Sequence, residues 1–220
     1  MSSHSTPRLV VLISGSGTNL QAIIDAVQQN RIDIDIAAVI SDREQAYGLK
    51  RAKQAGIETR VLKTNGIADR EAYDKALLEL MQTFEPDLVV LAGFMRILTA
   101  GFVDHFSGRI LNIHPSLLPA FSGLHTHQRV LDAKTCEHGA SIHFVTEELD
   151  GGPVIIQGKV PVLPDDNAAS LAARVLTIEH KIYPLAIDWC ARGRLAIRNN
   201  QVFMDGKPMQ SPIIYRDGLT

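Results

Sequence analysis

The sequence has little cysteine, little net charge and no long apolar run, and each shortage excludes a class of protein. Its two cysteines, Cys136 and Cys190, form no CxxC pair, so a disulfide framework is not expected and a reducing cytoplasm fits best. Lys and Arg number 22 against 24 Asp and Glu, a formal net charge of −2, which excludes a strongly basic nucleic-acid binder. No apolar run approaches the roughly 20 residues that a membrane span needs. We therefore expect a cytoplasmic protein with neither a nucleic acid nor a membrane as its partner.

What the sequence does contain, in its first half, is an alternation of strand-like and helix-like segments. Short apolar runs predict strands buried on both faces, at residues 9–13, 34–40, 58–62 and 88–92. Apolar residues at helical spacing predict helices between them: after Asn19, over 47–55 and along the face of Tyr73, Leu77, Leu80 and Phe84. This order predicts an α/β fold with a mostly parallel twisted sheet, helices on both faces and a Rossmann-like N-terminal half.

The second half of the sequence is less regular. Strands are predicted at Ile110–His114, Ser141–Val145, Val154–Val162 and, as a final hairpin, Leu195–Ile197 with Gln201–Phe203. An apolar stripe from Leu171 to Trp189 steps by three and four residues and predicts one long helix. Since no linker or repeat is visible, residues 8–220 are expected to form one domain with two halves that meet at about residue 100, after a disordered extension at residues 1–7.

A glycine-rich loop, Ser14–Asn19, connects the first predicted strand to the first helix. Glycines let backbone N–H groups approach a ligand and a helix N-terminus favours an anion, so the loop predicts phosphate binding. A tight turn capped by Thr18 or Asn19 is the alternative. Leu20 stands where the dinucleotide fingerprint has its third glycine, which weakens the case for an NAD-dependent oxidoreductase, although Asp42 could still contact a ribose.

Asn112 and His114 lie two residues apart at the end of a predicted strand, so their side chains share a face. An amide that donates to a developing oxyanion, beside an imidazole that moves protons, is the pair that acyl transfer needs. Asp150, on a Gly-Gly turn, could reach His114 and favour its protonated form, or could serve the turn alone. Structural hydrogen bonding is the alternative for both members of the Asn-x-His pair.

A cluster of histidines offers a second chemistry. His125 and His127, with His114 and His143, could supply nitrogen ligands to a metal. The sequence has no HExxH, and a lone His-x-His is a weak signal. We therefore expect no metal site.

Taken together, five ordered segments resemble phosphoribosylglycinamide formyltransferases, the folate-dependent glycinamide ribonucleotide transformylases of purine synthesis. The segments are Val11–Ala22, Leu91–Leu98, Asn112–Pro119, Gly123–His127 and Glu148–Pro153. The resemblance runs from about Leu9 to Trp189. It implies a formyltransferase fold with a nucleotide-binding half and a folate-binding, catalytic half. It also implies transfer of the formyl group of 10-formyltetrahydrofolate to the amine of N1-(5-phospho-D-ribosyl)glycinamide, without a metal, by a monomer or homodimer.

The resemblance further implies roles for individual residues. The implied catalytic residues are Asn112, His114 and Asp150. The implied ribonucleotide-binding residues are Gly17, Thr18, Asn19 and Glu179, the last of which could instead be a solvated helix residue. The implied folate-binding residues are Arg70, Met95, Arg96, Ile97, Leu98, Asn112, Thr146, Glu147, Glu148, Leu149 and Asp150. The chain departs from the family's pattern at Leu176 and in the loop Ala120–Ser122, neither of which is expected to touch the catalytic residues.

Three rival functions remain open at this point. A formyltetrahydrofolate deformylase would use water as acceptor and carry an N-terminal regulatory domain, which the early first strand leads us not to expect. A methionyl-tRNA formyltransferase would carry a C-terminal RNA-binding domain, which the short stretch after Trp189 leads us not to expect. A non-catalytic folate or nucleotide sensor would need none of the three catalytic residues, and their presence argues against it.

Overall fold

The computed structural model describes residues 6–64, 66–67 and 69–216. The chain divides into two compact units, Met1–Leu111 and Asn112–Thr220, so the boundary follows residue 111 and not residue 100, near which the sequence placed it. That the two halves form one domain stays a prediction. Residues 1–5 of the predicted disordered extension lie outside the described residues.

The first unit alternates strands and helices. Its strands are β1 (Arg8–Ile13), β2 (Asp35–Ser41), β3 (Thr59–Val61), β4 (Leu88–Leu91) and the start of β5 (Ile110–His114). Its helices are α1 (Thr18–Gln28), α2 (Tyr47–Gln54), α3 (Arg70–Gln82) and α4 (Ala100–His105). The strands pair in the order β4-β1-β2-β3, all parallel, and Leu9–Ile13 of the central strand are completely buried. The predicted α/β fold with mostly parallel strands is confirmed.

The second unit combines antiparallel strands with one long helix. Its elements after β5 are α5 (Thr126–Asp132), β6 (Glu137–Phe144), β7 (Val154–Pro161), α6 (Ala168–Ala191), β8 (Leu195–Arg198), β9 (Gln201–Met204), β10 (Lys207–Pro208) and β11 (Ile213–Ile214). β6 pairs antiparallel with β7, and α6 packs against both strands. The strand predicted at 141–145 therefore begins earlier and ends one residue sooner than expected.

The glycine loop begins α1 through its backbone. Gly17 occupies the N-cap position with a φ of 69°, and no side chain caps the helix. The alternative in which Thr18 or Asn19 caps the helix is therefore contradicted, since both already lie inside the helix. A Cβ on Gly17 would lie 2.5 Å from Cα of Gly48 in α2. Only glycine meets both requirements, a left-handed φ and contact with the neighbouring backbone.

We predict that Gly17→Ala lowers the free energy of unfolding by about 2 kcal/mol or more, because it adds a left-handed φ strain to a backbone overlap. Gly15→Ala is the matched control two residues earlier, where an added Cβ meets no atom within 4 Å. That control is expected to change stability by less than about 0.5 kcal/mol. Urea unfolding of both variants checks this, and equal midpoints would contradict it.

Among the residues that the structure describes, none of the helices has both the length and the apolar character to cross a membrane.

Candidate active site

The end of β5 and the turn after β6 bring a histidine and a carboxylate together. His114 is the last residue of β5 and is 6% exposed. Asp150 enters from the turn with a φ of 54°. Its Oδ2 lies 3.4 Å from Nδ1 of His114, and its side chain is 7% exposed. The structure therefore answers the question that the sequence left open, because the Asp150 carboxylate does reach His114.

The loop that follows β5 contacts both members of this pair through its backbone. Nε2 of His114 lies 3.0 Å from the carbonyl oxygen of Phe121, so the expectation that the loop Ala120–Ser122 touches none of the catalytic residues was wrong. The N–H of Gly123 donates to Oδ2 of Asp150 at 2.8 Å. Each ring nitrogen of His114 thus faces an acceptor, and only a ring that carries both protons can donate to both.

A second histidine, His143 in β6, holds the Asn112 side chain. Nδ1 of His143 lies 2.9 Å from the Phe144 carbonyl oxygen, so this nitrogen donates, and Nε2 of a neutral ring then accepts from Nδ2 of Asn112 at 3.1 Å. Burial lowers the pKa of His143, and it outweighs the opposing effects of the Phe144 carbonyl and the Asp150 charge. The ring is therefore neutral at pH 7 and fixes the orientation of the Asn112 amide.

Sequence reasoning considered His143 only as a metal ligand and missed this contact. Nε2 of His143 also lies 3.9 Å from Oδ1 of Asp150, so His143 stands between Asn112 and the carboxylate. Two of the three predicted catalytic residues, Asn112 and Asp150, thereby lie beside one buried imidazole. The available signal was the alternation of Ser141 and His143, which places both side chains on one face of β6.

A separate histidine pair lies between α5 and β6. Nδ1 of His127 and Nε2 of His138 are 3.0 Å apart. Burial, with smaller contributions from His127 and His114, lowers the pKa of His138 to about 4, and burial also lowers the pKa of His127. The pair is neutral at pH 7. Over the described part of the chain, no group of three or more His, Cys, Asp or Glu side chains is placed to hold a metal ion.

We predict that stability falls as the pH drops from about 6.5 toward about 4, because the unfolded chain binds a proton at His138 that the folded chain does not. The folded pKa is the depressed one, so the stability is complete above the unfolded pKa and is lost below it. The contribution of His138 to the slope is at most about 1.4 kcal/mol per pH unit. Urea unfolding at several pH values, with His138→Gln beside the wild type, measures it. An identical slope in the variant would contradict the prediction.

The glycine loop of the first unit is connected to the segment after β4. The N–H of Ser14 donates to the Gly93 carbonyl at 3.1 Å, and the N–H of Met95 donates to Oγ of Ser14 at 2.9 Å. In α1, Thr18 is half-buried and Asn19 is buried. The predicted phosphate loop and the predicted folate segment therefore share hydrogen bonds within this unit.

The residues implied to contact folate differ in exposure. Three apolar side chains are largely exposed: Met95 by 63%, Ile97 by 51% and, in the second unit, Leu149 by 55%. Arg70, Glu147 and Glu148 are also exposed, and Thr146 is half-buried. Exposed apolar side chains of this size are surfaces on which a flat aromatic ligand can pack.

Two members of the folate set have structural partners instead. Leu98 is buried, so its side chain belongs to the core of the first unit. The Arg96 guanidinium lies 4.0 Å from the ring centre of Tyr73. Burial, more than the nearby charges, raises the pKa of Tyr73 to about 12, and its hydroxyl donates to the Leu62 carbonyl. Arg96 is thereby held against α3.

Glu179 lies on α6 and is only 8% exposed. The sequence left open whether this residue is solvated, and the structure contradicts that alternative. Burying a carboxylate costs free energy unless polar groups surround it. The burial of Glu179 therefore follows from its place in the fold of the second unit and is not that of a solvated helix residue.

Comparison with known proteins places this geometry in context. The profile of the family described as Formyl transferase matches residues 7–187. A phosphoribosylglycinamide formyltransferase from Escherichia coli (strain K12) is 55% identical over 199 residues, which are 90% of this chain and 94% of that one. The structure of phosphoribosylglycinamide formyltransferase from Coxiella burnetii, in complex with CHES, has a TM-score of 0.92 and 49% identity over 96% of this chain and 100% of that one. A formyltetrahydrofolate deformylase from Pseudomonas syringae has a TM-score of 0.86 at 25% identity, over 93% and 67% of the two chains.

Proposed function

This chain belongs to the phosphoribosylglycinamide formyltransferases within the formyl transferase family, and from that premise we propose that it formylates glycinamide ribonucleotide. The formyl donor is 10-formyltetrahydrofolate and the acceptor is the primary amine of the ribonucleotide. The observation that carries the proposal is the grouping of a half-buried Asn112 with His114 and Asp150 in the second unit. Both substrates are small molecules, and the reaction takes place in the cytoplasm, catalysed by a monomer or homodimer.

The chemistry needs hydrogen-bond donors for a developing oxyanion. When the amine attacks the formyl carbon, negative charge builds on the formyl oxygen. The Asn112 amide has two N–H groups, of which His143 accepts one, and the second is the donor proposed for this oxygen. A donor of this kind typically contributes about 3 kcal/mol to transition-state stabilisation.

His114 is the second proposed donor. Its Nε2–H, which faces the Phe121 carbonyl in this structure, would exchange that acceptor for the formyl oxygen. Asp150 faces Nδ1 and would hold the ring in the orientation that donation needs. Asp150 would also take part in moving the amine proton to the leaving folate nitrogen. Because the attacking amine is itself a nucleophile, no covalent enzyme intermediate is needed. Burial raises the pKa of the Cys190 thiol to about 12, consistent with a structural role.

The binding residues that the resemblance implies complete the proposal. Gly17, Thr18 and Asn19, at the N-terminus of α1, would bind the ribonucleotide phosphate with backbone N–H groups, and Glu179 would bind the ribonucleotide substrate. Met95, Ile97 and Leu149 would pack on the pterin ring. The remaining folate contacts would come from Arg70, Asn112, Thr146, Glu147, Glu148 and Asp150, and from the backbone of Arg96 and Leu98, whose side chains pack within the first unit.

A difference-absorbance assay tests the function. The purified protein is mixed with 10-formyl-dideazafolate, a stable formyl donor, with and without glycinamide ribonucleotide. We expect loss of the formyl group only when the ribonucleotide is present. Loss without an amine acceptor would instead support a deformylase, and binding without turnover in either mixture would support a folate sensor.

A further inference from the structure

The backbone of the loop Phe121–Leu124 contacts two different parts of the second unit, the catalytic residues and α5. On one side, the Phe121 carbonyl accepts from His114 and the Gly123 N–H donates to Asp150. On the other side, the carbonyls of Ser122 and Leu124 face α5. Two residues of the loop have left-handed backbone angles, Phe121 with a φ of 56° and Gly123 with a φ of 79°. A loop in this conformation needs contacts that hold it, because a non-glycine residue at positive φ is disfavoured.

Arg129 of α5 supplies such contacts. Its Nη1 donates to the Ser122 carbonyl at 2.5 Å and lies 3.5 Å from the Leu124 carbonyl. Its guanidinium carbon lies 5.6 Å from the centre of the Phe121 ring. One side chain thus contacts three of the four residues of the loop, on the side opposite His114 and Asp150. Charge-assisted bonds from a guanidinium to a carbonyl are stronger than neutral ones.

We propose that Arg129 is a positioning residue for formyl transfer, acting through the loop Phe121–Leu124 on His114 and Asp150. The proposal rests on the function proposed above. Arg129 touches neither residue itself. It fixes the peptide groups that set the direction of the His114 ring and the position of the Asp150 carboxylate. Small displacements of such groups are costly to the rate, because the reacting atoms must stay within a narrow geometry.

Three variants test the proposal. Arg129→Gln removes the charge and the stacking, while Arg129→Lys keeps a donor that can reach the same carbonyls. Arg192→Gln is the matched control, because Arg192 is a largely exposed arginine in the same unit, paired with Asp188. We expect Arg129→Gln to lower kcat about tenfold with little change in KM for either substrate. Arg129→Lys should recover part of the loss, and Arg192→Gln should match the wild type.

Two further readouts separate positioning from simple stabilisation. The kcat–pH profile should change in Arg129→Gln, and the ¹⁵N resonance of His114 Nε2, assigned with a His114→Asn variant, should shift. Neither should change in Arg192→Gln. If Arg129→Gln loses only thermal stability, with kcat, pH profile and the His114 resonance unchanged, the proposal is overturned. If the wild type fails to transfer formyl groups but the His114 resonance still shifts in Arg129→Gln, the proposed function fails while the positioning of His114 by Arg129 stands.

Discussion

Replacing Asp150 by asparagine is expected to lower kcat by about 10³-fold or more, because it replaces the carboxylate beside His114 by a neutral amide while keeping the shape of the site. The Asn oxygen can still accept from the Gly123 N–H, as Oδ2 of Asp150 does now. The same oxygen would stay beside Nδ1 of His114, where Oδ2 lies at 3.4 Å, and the NH₂ group would replace Oδ1, which lies 3.9 Å from Nε2 of His143. A neutral amide oxygen is a weaker acceptor than a carboxylate, so His114 loses the charged partner that orients its ring for donation to the formyl oxygen.

Asp165→Asn is the control for this change, since Asp165 is an exposed aspartate in the same unit and its loss of charge should leave kcat unaltered. Steady-state kinetics with both substrates saturating measures the two variants. An Asp150→Asn enzyme that turns over at nearly the wild-type rate, with its fold intact by circular dichroism, would show that the carboxylate has no part in the chemistry.

The parallel strands were predictable because the fold buries them on both faces. Leu9–Ile13 and Leu88–Leu91 form continuous apolar runs and are buried throughout, and β5 begins and ends where the sequence predicts. The short helices α4 and α5 were not predicted, since one or two turns carry too few apolar positions to show a helical period. Thr99 begins α4 by accepting from the Phe102 N–H, a signal visible only once the helix is known.

The candidate site was predictable where the alternation of side chains along a strand places the catalytic residues. It was unpredictable where backbone conformation and main-chain atoms place them. The spacing of Asn112 and His114 places them on one face of β5 from sequence alone. The distance from Asp150 to His114 depends on a left-handed turn and on the Gly123 N–H, which no residue pattern encodes. The Phe121 carbonyl that faces His114 is a main-chain atom, so no choice of side chain could have revealed it.

His143 was missed for a related reason: its role lies in which nitrogen carries the proton. The tautomer follows from the Phe144 carbonyl at Nδ1, and that contact needs Gly152, where a Cβ would overlap the same carbonyl oxygen. The glycine that looks like turn chemistry in the sequence therefore allows the close approach behind His143. From there the chain of contacts continues to the Asn112 amide.

Removing the Asn112 amide is expected to lower kcat by about 10²–10³-fold in Asn112→Ala, the usual loss for an oxyanion donor. His143→Phe should lower kcat by a smaller amount, about 10-fold to 10²-fold, because the amide is kept but loses the acceptor that orients it. The double variant separates the two roles. If His143 acts through Asn112, the double variant should be no slower than Asn112→Ala alone, since an absent amide cannot be misplaced.

A matched cycle with His105→Phe, which replaces an exposed histidine on α4 of the first unit, should show simple additivity, because its side chain makes no contact with the Asn112 amide. Because the His143 ring is buried, replacing it can destabilise the fold. Circular dichroism and unfolding curves check that each variant stays folded. Additive losses in the Asn112 and His143 cycle would mean that His143 contributes to catalysis independently of the amide. Its hydrogen bond to Asn112 would then be structural, and the oxyanion donor would owe its orientation to another group.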